Sequence, residues 1–310
     1  MFENRRWLVL PVGLWAALAL SGCGKTDTST PDPVGNPFDA AKVGADSTLE
    51  VMTWNLENFP KSTATAGWVA QVVEGVQPDV LAIMEMTNPT TFSQLDNALV
   101  GWTGSAATGA PAQQNLAFLY RTDGGLEVTS IYEIYGDYWR EFPRSPYVLE
   151  ATWNGTPIVV IANHLKAMGD GVMDPADPND EETRRRDACI LLGQYAATEL
   201  AGKRVFIVGD MNDAITDAPP NNVFRNFLDA PDTFRFADMA VALGPSGDWS
   251  YPPRPSHLDH ILVTAPLFAA LDAPGALTTV VHLQSVFPSG PGTYFAQVSD
   301  HLPVITRIKP

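Results

Sequence analysis

The sequence is poor in cysteine and in positive charge. Two cysteines, Cys23 and Cys189, stand among 310 residues. That excludes a disulfide scaffold and a cysteine-ligated zinc site. A core must come from apolar packing, and 45% hydrophobic residues over this length suffice without covalent staples. The 19 Lys and Arg residues face 35 Asp and Glu, a formal charge of −16. Such a balance argues against a protein that coats nucleic acid nonspecifically, since phosphate backbones attract basic surfaces. It leaves open a nuclease with a local basic groove or bound cations. With 17% charged residues the composition is globular, and wholesale disorder is excluded. No internal repeat and no G-x-S-x-G nucleophile elbow is visible. The acidic stretch Asp170–Glu182 lacks EF-hand spacing and reads as a solvated loop. The longest apolar run, Trp7–Leu20, has 14 residues, whereas a spanning helix needs about 20.

That run belongs to an address. Arg5 and Arg6 precede it, and residues 1–22 read as an export signal. The following Leu20-Ser21-Gly22-Cys23 resembles the lipobox of bacterial lipoproteins. The resemblance implies cleavage before Cys23, lipidation of Cys23, and anchoring in a membrane of the outer membrane, periplasm or cell surface. An ordinary secretory signal, or a Cys23–Cys189 disulfide, is the alternative. Residues 23–47 are rich in Thr, Ser, Pro, Asp and Gly and are expected to form a flexible tether. The folded domain is expected over 48–310.

Within it, short apolar runs predict strands at Leu49–Trp54, Val80–Met84, Leu116–Tyr120, Val128–Ile134, Tyr147–Trp153, Ile158–Ala162, Val205–Val208, Ile261–Val263, Thr278–Leu283 and Pro303–Ile308. Several are continuous Val/Ile/Leu runs, the pattern of strands covered on both faces. Helical patterns fall at 68–76, 91–99 and 181–200; in the last, Ala188, Leu191, Leu192 and Tyr195 recur at helical spacing. The alternation predicts a layered α/β sandwich.

The informative feature is where polar residues sit. Asn55, Glu85, Asn163-His164 and Asp210-Met211-Asn212 each follow an apolar run, while Asp259 and Asp300-His301 each precede one. If the first four strands run one way and the last two the other, these groups converge on one rim. Taken singly, each reads more often as a turn former, a cap or a structural hydrogen bonder. Together they form a chemical set. Carboxylate and amide oxygens are hard ligands for Mg²⁺, Mn²⁺ or Ca²⁺. Histidines move protons near neutral pH, and an aspartate can fix an imidazole tautomer. Oxygen ligands and histidines without a protein nucleophile fit metal-assisted attack of water on phosphorus.

These segments resemble the endonuclease/exonuclease/phosphatase (DNase I-like) superfamily. The matching pieces are Thr53–Phe59, Pro78–Glu85, Asn163–Lys166, Gly209–Asp213, Leu258–Leu262 and Ser299–Val304, in the family's order. The resemblance implies a four-layer α/β/β/α sandwich, two packed mixed β-sheets flanked by helices. It implies a divalent metal, Mg²⁺ or else Mn²⁺ or Ca²⁺, on Glu85 with Asn55 close by and Asp300 completing the site. Asp210 and Asn212 would orient phosphate and water. His301 would be the general base, oriented by Asp259, and His164 would bind the phosphate or assist the leaving oxygen. Arg144 resembles a phosphate-contacting arginine. Gln114 stands where some members carry a glutamate that supports the histidine matching His164. Glu57 lies where some carry an acidic metal-site residue.

The expected activity is a metal-dependent phosphoesterase, first a nuclease or general phosphodiesterase, acting as a lipid-anchored monomer on nucleic acid or on another phosphoester. A sphingomyelinase-like or inositol-phosphate-type phosphoesterase is the alternative, and a non-catalytic binding module retaining the fold is a third. Arg184-Arg185-Arg186 reads either as a local basic patch near Lys166 or as a solvated helical turn. Trp249-Ser250-Tyr251-Pro252-Pro253 is an aromatic loop expected to pack beside the site.

Overall fold

Twelve strands pair into two six-stranded sheets in a computed structural model that describes residues 35–109 and 114–310. Cys23 and the export signal read over 1–22 lie outside the described residues. The first sheet has the order β11 (Leu277–Val280), β12 (Val304–Ile308), β1 (Leu49–Phe59), β2 (Val80–Met86), β4 (Asn115–Arg121), β3 (Trp102–Ala106). The second has β5 (Leu126–Glu133), β6 (Tyr147–Trp153), β7 (Thr156–His164), β8 (Val205–Asp210), β10 (Asp259–Thr264), β9 (Phe234–Phe236). Each sheet is mixed. One parallel pair, β1 with β2 or β7 with β8, sits among antiparallel neighbours.

Side-chain alternation shows the layering. In β8, Phe206 and Val208 join the core that contains Trp54 and Ile83 of the first sheet. The intervening Val205 and Ile207 join a second core with Ala188 and Leu192 of the helix α3 (Glu181–Thr198). The second sheet is thus sandwiched, which is why its strands are apolar without interruption. The helix α1 (Thr65–Val76) packs with the first sheet through Val69, Val72, Val73 and Val76. Helix α2 (Pro89–Ala98) begins with Asn88 accepting from Thr91 N, and Pro89 takes the first turn, where its missing N–H costs nothing. Asp180 caps α3 in the same way. The expected four-layer α/β/β/α sandwich is the observed fold.

Two strands escaped the sequence pattern. β3 has every side chain half-buried, and β9 has three residues. The stretch expected to be a tether also differs. Phe38 is fully buried, with its ring 6.4 Å from Trp68 and 6.0 Å from Phe287. Val43 N and Gly44 N both donate to Val76 O at the end of α1. The packed unit therefore begins at Gly35 rather than near Thr48. One buried aromatic outweighs a polar composition that carries no periodicity.

Candidate active site

The site forms because strand ends are in register. His164 and Asp210 are directly paired at the ends of parallel β7 and β8. β10 runs antiparallel to β8, so Asp259, its first residue, pairs with Asp210. β12 runs antiparallel to β1, and the turn before it carries Asp300 and His301 back to the end of β1, near Asn55. The strand directions assumed from the sequence are the ones that bring these groups together.

Asn55 joins the two sheets. Its Nδ2 donates to Asp210 Oδ2 at 2.9 Å and, more weakly, to Glu85 Oε1 at 3.3 Å. Its Oδ1 accepts from Glu57 N at 2.9 Å. Glu85 sits at an irregularity between β2 and β4 with φ of 62°, and its Oε2 accepts from Asn58 N. Asn212 has φ of 53°. Such left-handed backbone at non-glycine residues costs energy and recurs at functional sites. Gly209, just before Asp210, adopts φ of 150°, and a Cβ there would lie 1.8 Å from Asn163 O. Only glycine lets β7 and β8 close at this point.

Asn55, Glu85, His164, Asp210, Asn212, Asp300 and His301 all line one open cavity of about 390 Å³. Asp259 lies behind it, fully buried, and its Oδ2 bonds His301 Nδ1 at 2.7 Å. His301 Nε2 faces Asp210 Oδ2 at 3.7 Å and Asp300 Oδ1 at 3.9 Å. Burial opposes a charge on this imidazole, but Asp259, Asp210 and Asp300 outweigh it and push His301 up to about 10. Burial, reinforced by Asp259 and opposed by His301, raises Asp210 to about 6. His164 behaves oppositely. Complete burial, with the charges of Arg144 and His301 nearby, holds it well below the usual histidine range. Its Nε2 is 3.7 Å from Asp210 and 4.0 Å from Glu85, but a neutral ring makes these polar contacts rather than ion pairs.

Arg144 is buried close to Glu85 and Asp210, whose charges partly offset the effect of its burial. Its Nη2 donates to Gln114 Oε1, and Gln114 Nε2 donates to Asn58 Oδ1. Gln114 thus serves Arg144, and the buried His164 Nδ1 has no hydrogen-bond partner among the described residues. The Glu57 carboxylate accepts from Lys61 Nζ and from Asp300 N, so it holds the loop of Asp300. The basic triplet does not form a patch. Arg184 Nε binds Arg140 O, Arg186 pairs with Asp187, and Arg185 turns inward to Glu182 and Asp213. Arg185 also donates to Lys166 O and Met168 O, bracing the loop that follows His164.

Two serines escaped the sequence reading. Ser299 Oγ donates to Asn55 O at 2.6 Å and accepts from His301 N at 2.9 Å. Ser250 Oγ accepts from Leu258 N and Asp259 N, and its carbonyl accepts from Leu302 N. Ser299 was detectable as the neighbour of Asp300; nothing in sequence marks Ser250. The aromatic loop does pack beside the site, with the Tyr251 ring 4.8 Å from that of His301.

The donor set suits a hard cation. Glu85 and Asp210 converge on one amide group, and Asp259 Oδ1 is a buried oxygen without a hydrogen-bond partner among the described residues. Asp210, Asp259 and His301 place ligand atoms within 4.8 Å of one another. Asp238, His257 and His260 form a second cluster of this kind, but their facing atoms already bond one another, and His260 Nε2 binds Asp213 O.

Residues 52–301 match the model of the endonuclease/exonuclease/phosphatase family, and the chain belongs to that family of ester-bond hydrolases. A search by sequence finds no curated relative. Solved structures share the fold at low identity. Zebrafish (D. rerio) TDP2 complexed with a single-strand DNA product aligns with a TM-score of 0.63 and 15% identity, over 85% of this chain and 100% of that one. The human nocturnin catalytic domain with bound sulfate gives 0.61 and 16%, over 86% and 96%. A mannosyl-6-phosphatase of Bacteroides thetaiotaomicron gives 0.57 and 15%, over 84% and 99%.

Proposed function

We propose that this protein is an exported, lipid-anchored phosphodiesterase that hydrolyses nucleic-acid phosphodiester bonds with a divalent metal. The observation that carries the chemistry is the meeting of Asn55, Glu85, His164, Asp210 and the Asp259–His301 pair around one cavity. Glu85 with Asn55 and Asp300 would hold the cation, Mg²⁺ by ligand hardness, with Mn²⁺ or Ca²⁺ as alternatives. Such an ion would supply positive charge for the phosphate oxygens and offset the negative charge of the carboxylates around His301.

The protein's own groups do the rest. Asp210 and Asn212, held by the Asn212 N to Asp210 Oδ1 bond of 3.0 Å, orient water and phosphate. With the carboxylate charge that raises it offset by such an ion, neutral His301 would take a proton from water as the oxygen attacks phosphorus in line, and Asp259 would hold the resulting imidazolium. The opposite P–O ester bond breaks, the leaving oxygen takes a proton from solvent water, and His301 returns its proton to solvent. Neutral His164 donates a hydrogen bond to a phosphate oxygen or to that leaving oxygen. Arg144 adds a fixed positive charge beneath the phosphate. Removing one such group costs about 2.7–4 kcal/mol of barrier, roughly 10²–10³ in rate.

Nucleic acid is favoured over lipid because the loop beside the site is a short, proline-rich turn and not a long apolar hairpin. The DNA product bound to the zebrafish structure concerns that protein, and it makes DNA the first substrate to try. Anchoring rests on Leu20-Ser21-Gly22-Cys23, and a Cys23→Ala chain should move from the membrane to the soluble fraction. The purified chain should cleave single-stranded DNA and bis-p-nitrophenyl phosphate with Mg²⁺, and EDTA should abolish both. Release of choline phosphate from sphingomyelin, with DNA intact, would replace the nuclease reading. Silence on every phosphoester would leave a binding module.

A further inference from the structure

The wall of the cavity beyond the reacting groups is a hairpin that none of the proposed steps uses. Tyr251 N donates to Ser256 O and Ser256 N to Tyr251 O, closing a four-residue loop, Pro252-Pro253-Arg254-Pro255. Three of those four residues are prolines, so the loop has little conformational freedom to lose on binding. Ser256 Oγ donates to Arg254 O and stiffens the tip. Ser250 fixes the base by accepting from the N–H of Asp259 and from that of Leu302, the residue after His301.

Tyr251 and Arg254 both line the cavity. Among the described residues, no carboxylate lies within ion-pair distance of the exposed Arg254 guanidinium. Six of the ten other arginines among the described residues, Arg121, Arg140, Arg185, Arg186, Arg225 and Arg235, each pair with a carboxylate. Arg254 thus brings an exposed positive charge to the mouth of a cleft lined by Glu85, Asp210 and Asp300 in a chain of charge −16. Its use is to meet an anion. Tyr251 offers a ring beside His301, a half-buried face on which a flat group can stack. A cavity of about 390 Å³ holds a phosphate and one adjoining group, not a duplex.

We infer that the Tyr251–Ser256 hairpin is a specificity element for the substrate chain beyond the scissile phosphate. Tyr251 stacks on the adjoining base and Arg254 binds the next phosphate along a single strand. The inference rests on the nucleic-acid reading above and deepens it. It makes the enzyme a selector of substrates with at least two phosphates in series.

The test compares kcat/KM on a short single-stranded oligonucleotide with that on bis-p-nitrophenyl phosphate, which has one phosphate. In Arg254→Ala the ratio of the two should fall about tenfold, chiefly through KM for the oligonucleotide. The salt dependence of oligonucleotide binding should flatten by about one phosphate contact. Arg254→Lys should restore part of both, and Tyr251→Ala should lower the ratio without changing the salt slope. An unchanged ratio in both alanine variants overturns the inference. So does a wild-type enzyme that cleaves bis-p-nitrophenyl phosphate with Mg²⁺ but no oligonucleotide, a result that leaves the phosphoesterase chemistry standing. A wild-type enzyme inert on both compounds overturns the inference and the reading beneath it.

Discussion

At the scale of single residues, two histidine–aspartate contacts do different work. Asp259 bonds His301 at 2.7 Å beside the cavity. Asp259→Asn keeps the size but removes the charge that stabilises the imidazolium, so kcat should fall roughly 10²-fold or more with KM little changed. Steady-state kinetics at saturating Mg²⁺ checks this, and a loss confined to KM would assign Asp259 to binding. His260 is structural. Its Nε2 faces a carbonyl, Asp213 O, at 2.9 Å and its Nδ1 faces the Asp238 carboxylate at 2.7 Å. Both partners accept, so the ring carries two protons. Burial opposes that charge, but Asp238 overrides it and raises His260 above 6.5. Burial likewise opposes the Asp238 charge, but His260 and His257 hold its carboxyl well below 3.8. A raised histidine stabilises most below its unfolded value and loses that contribution as pH rises through its folded value. A depressed carboxylate does so above its unfolded value and loses it in acid. The excess melting temperature of wild type over His260→Gln should therefore be largest between about pH 4 and 6.5 and shrink on either side. A difference independent of pH would show a neutral His260.

At the scale of elements, the sequence was legible where one strand is buried on both faces and illegible where burial is shared. Continuous runs such as Val205–Val208 announced themselves, and the polar residue after each run located the rim. β3 has no fully buried residue and β9 spans three, so neither leaves a periodic trace. Most of the proposed site was readable because chemistry-bearing side chains cluster at strand ends. Ser250 and Arg254 were not, since their roles depend on which loop folds over which strand. The arginine triplet shows the same limit. Position in a helix does not say that Arg185 points inward while Arg184 binds a backbone carbonyl and Arg186 pairs with Asp187. Arg185 is buried between Glu182 and Asp213. Arg185→Met would strand both acids without a cation, and should cost about 3–5 kcal/mol in urea unfolding. A loss below about 1 kcal/mol would mean the acids recover solvent or protons.

At the scale of the whole molecule, the Asn55 bond to Asp210 links strands of opposite sheets, and the chain positions involved span most of the folded unit. A cation seated between Glu85 on one sheet and Asp210 on the other would be a rivet through the sandwich. The sheets then cannot slide apart without releasing it, so occupancy feeds directly into thermal resistance. At a hundred dissociation constants of Mg²⁺ the gain is about 2.7 kcal/mol. It should appear as a rise in melting temperature that Glu85→Gln removes, readable by calorimetry with no substrate and no turnover.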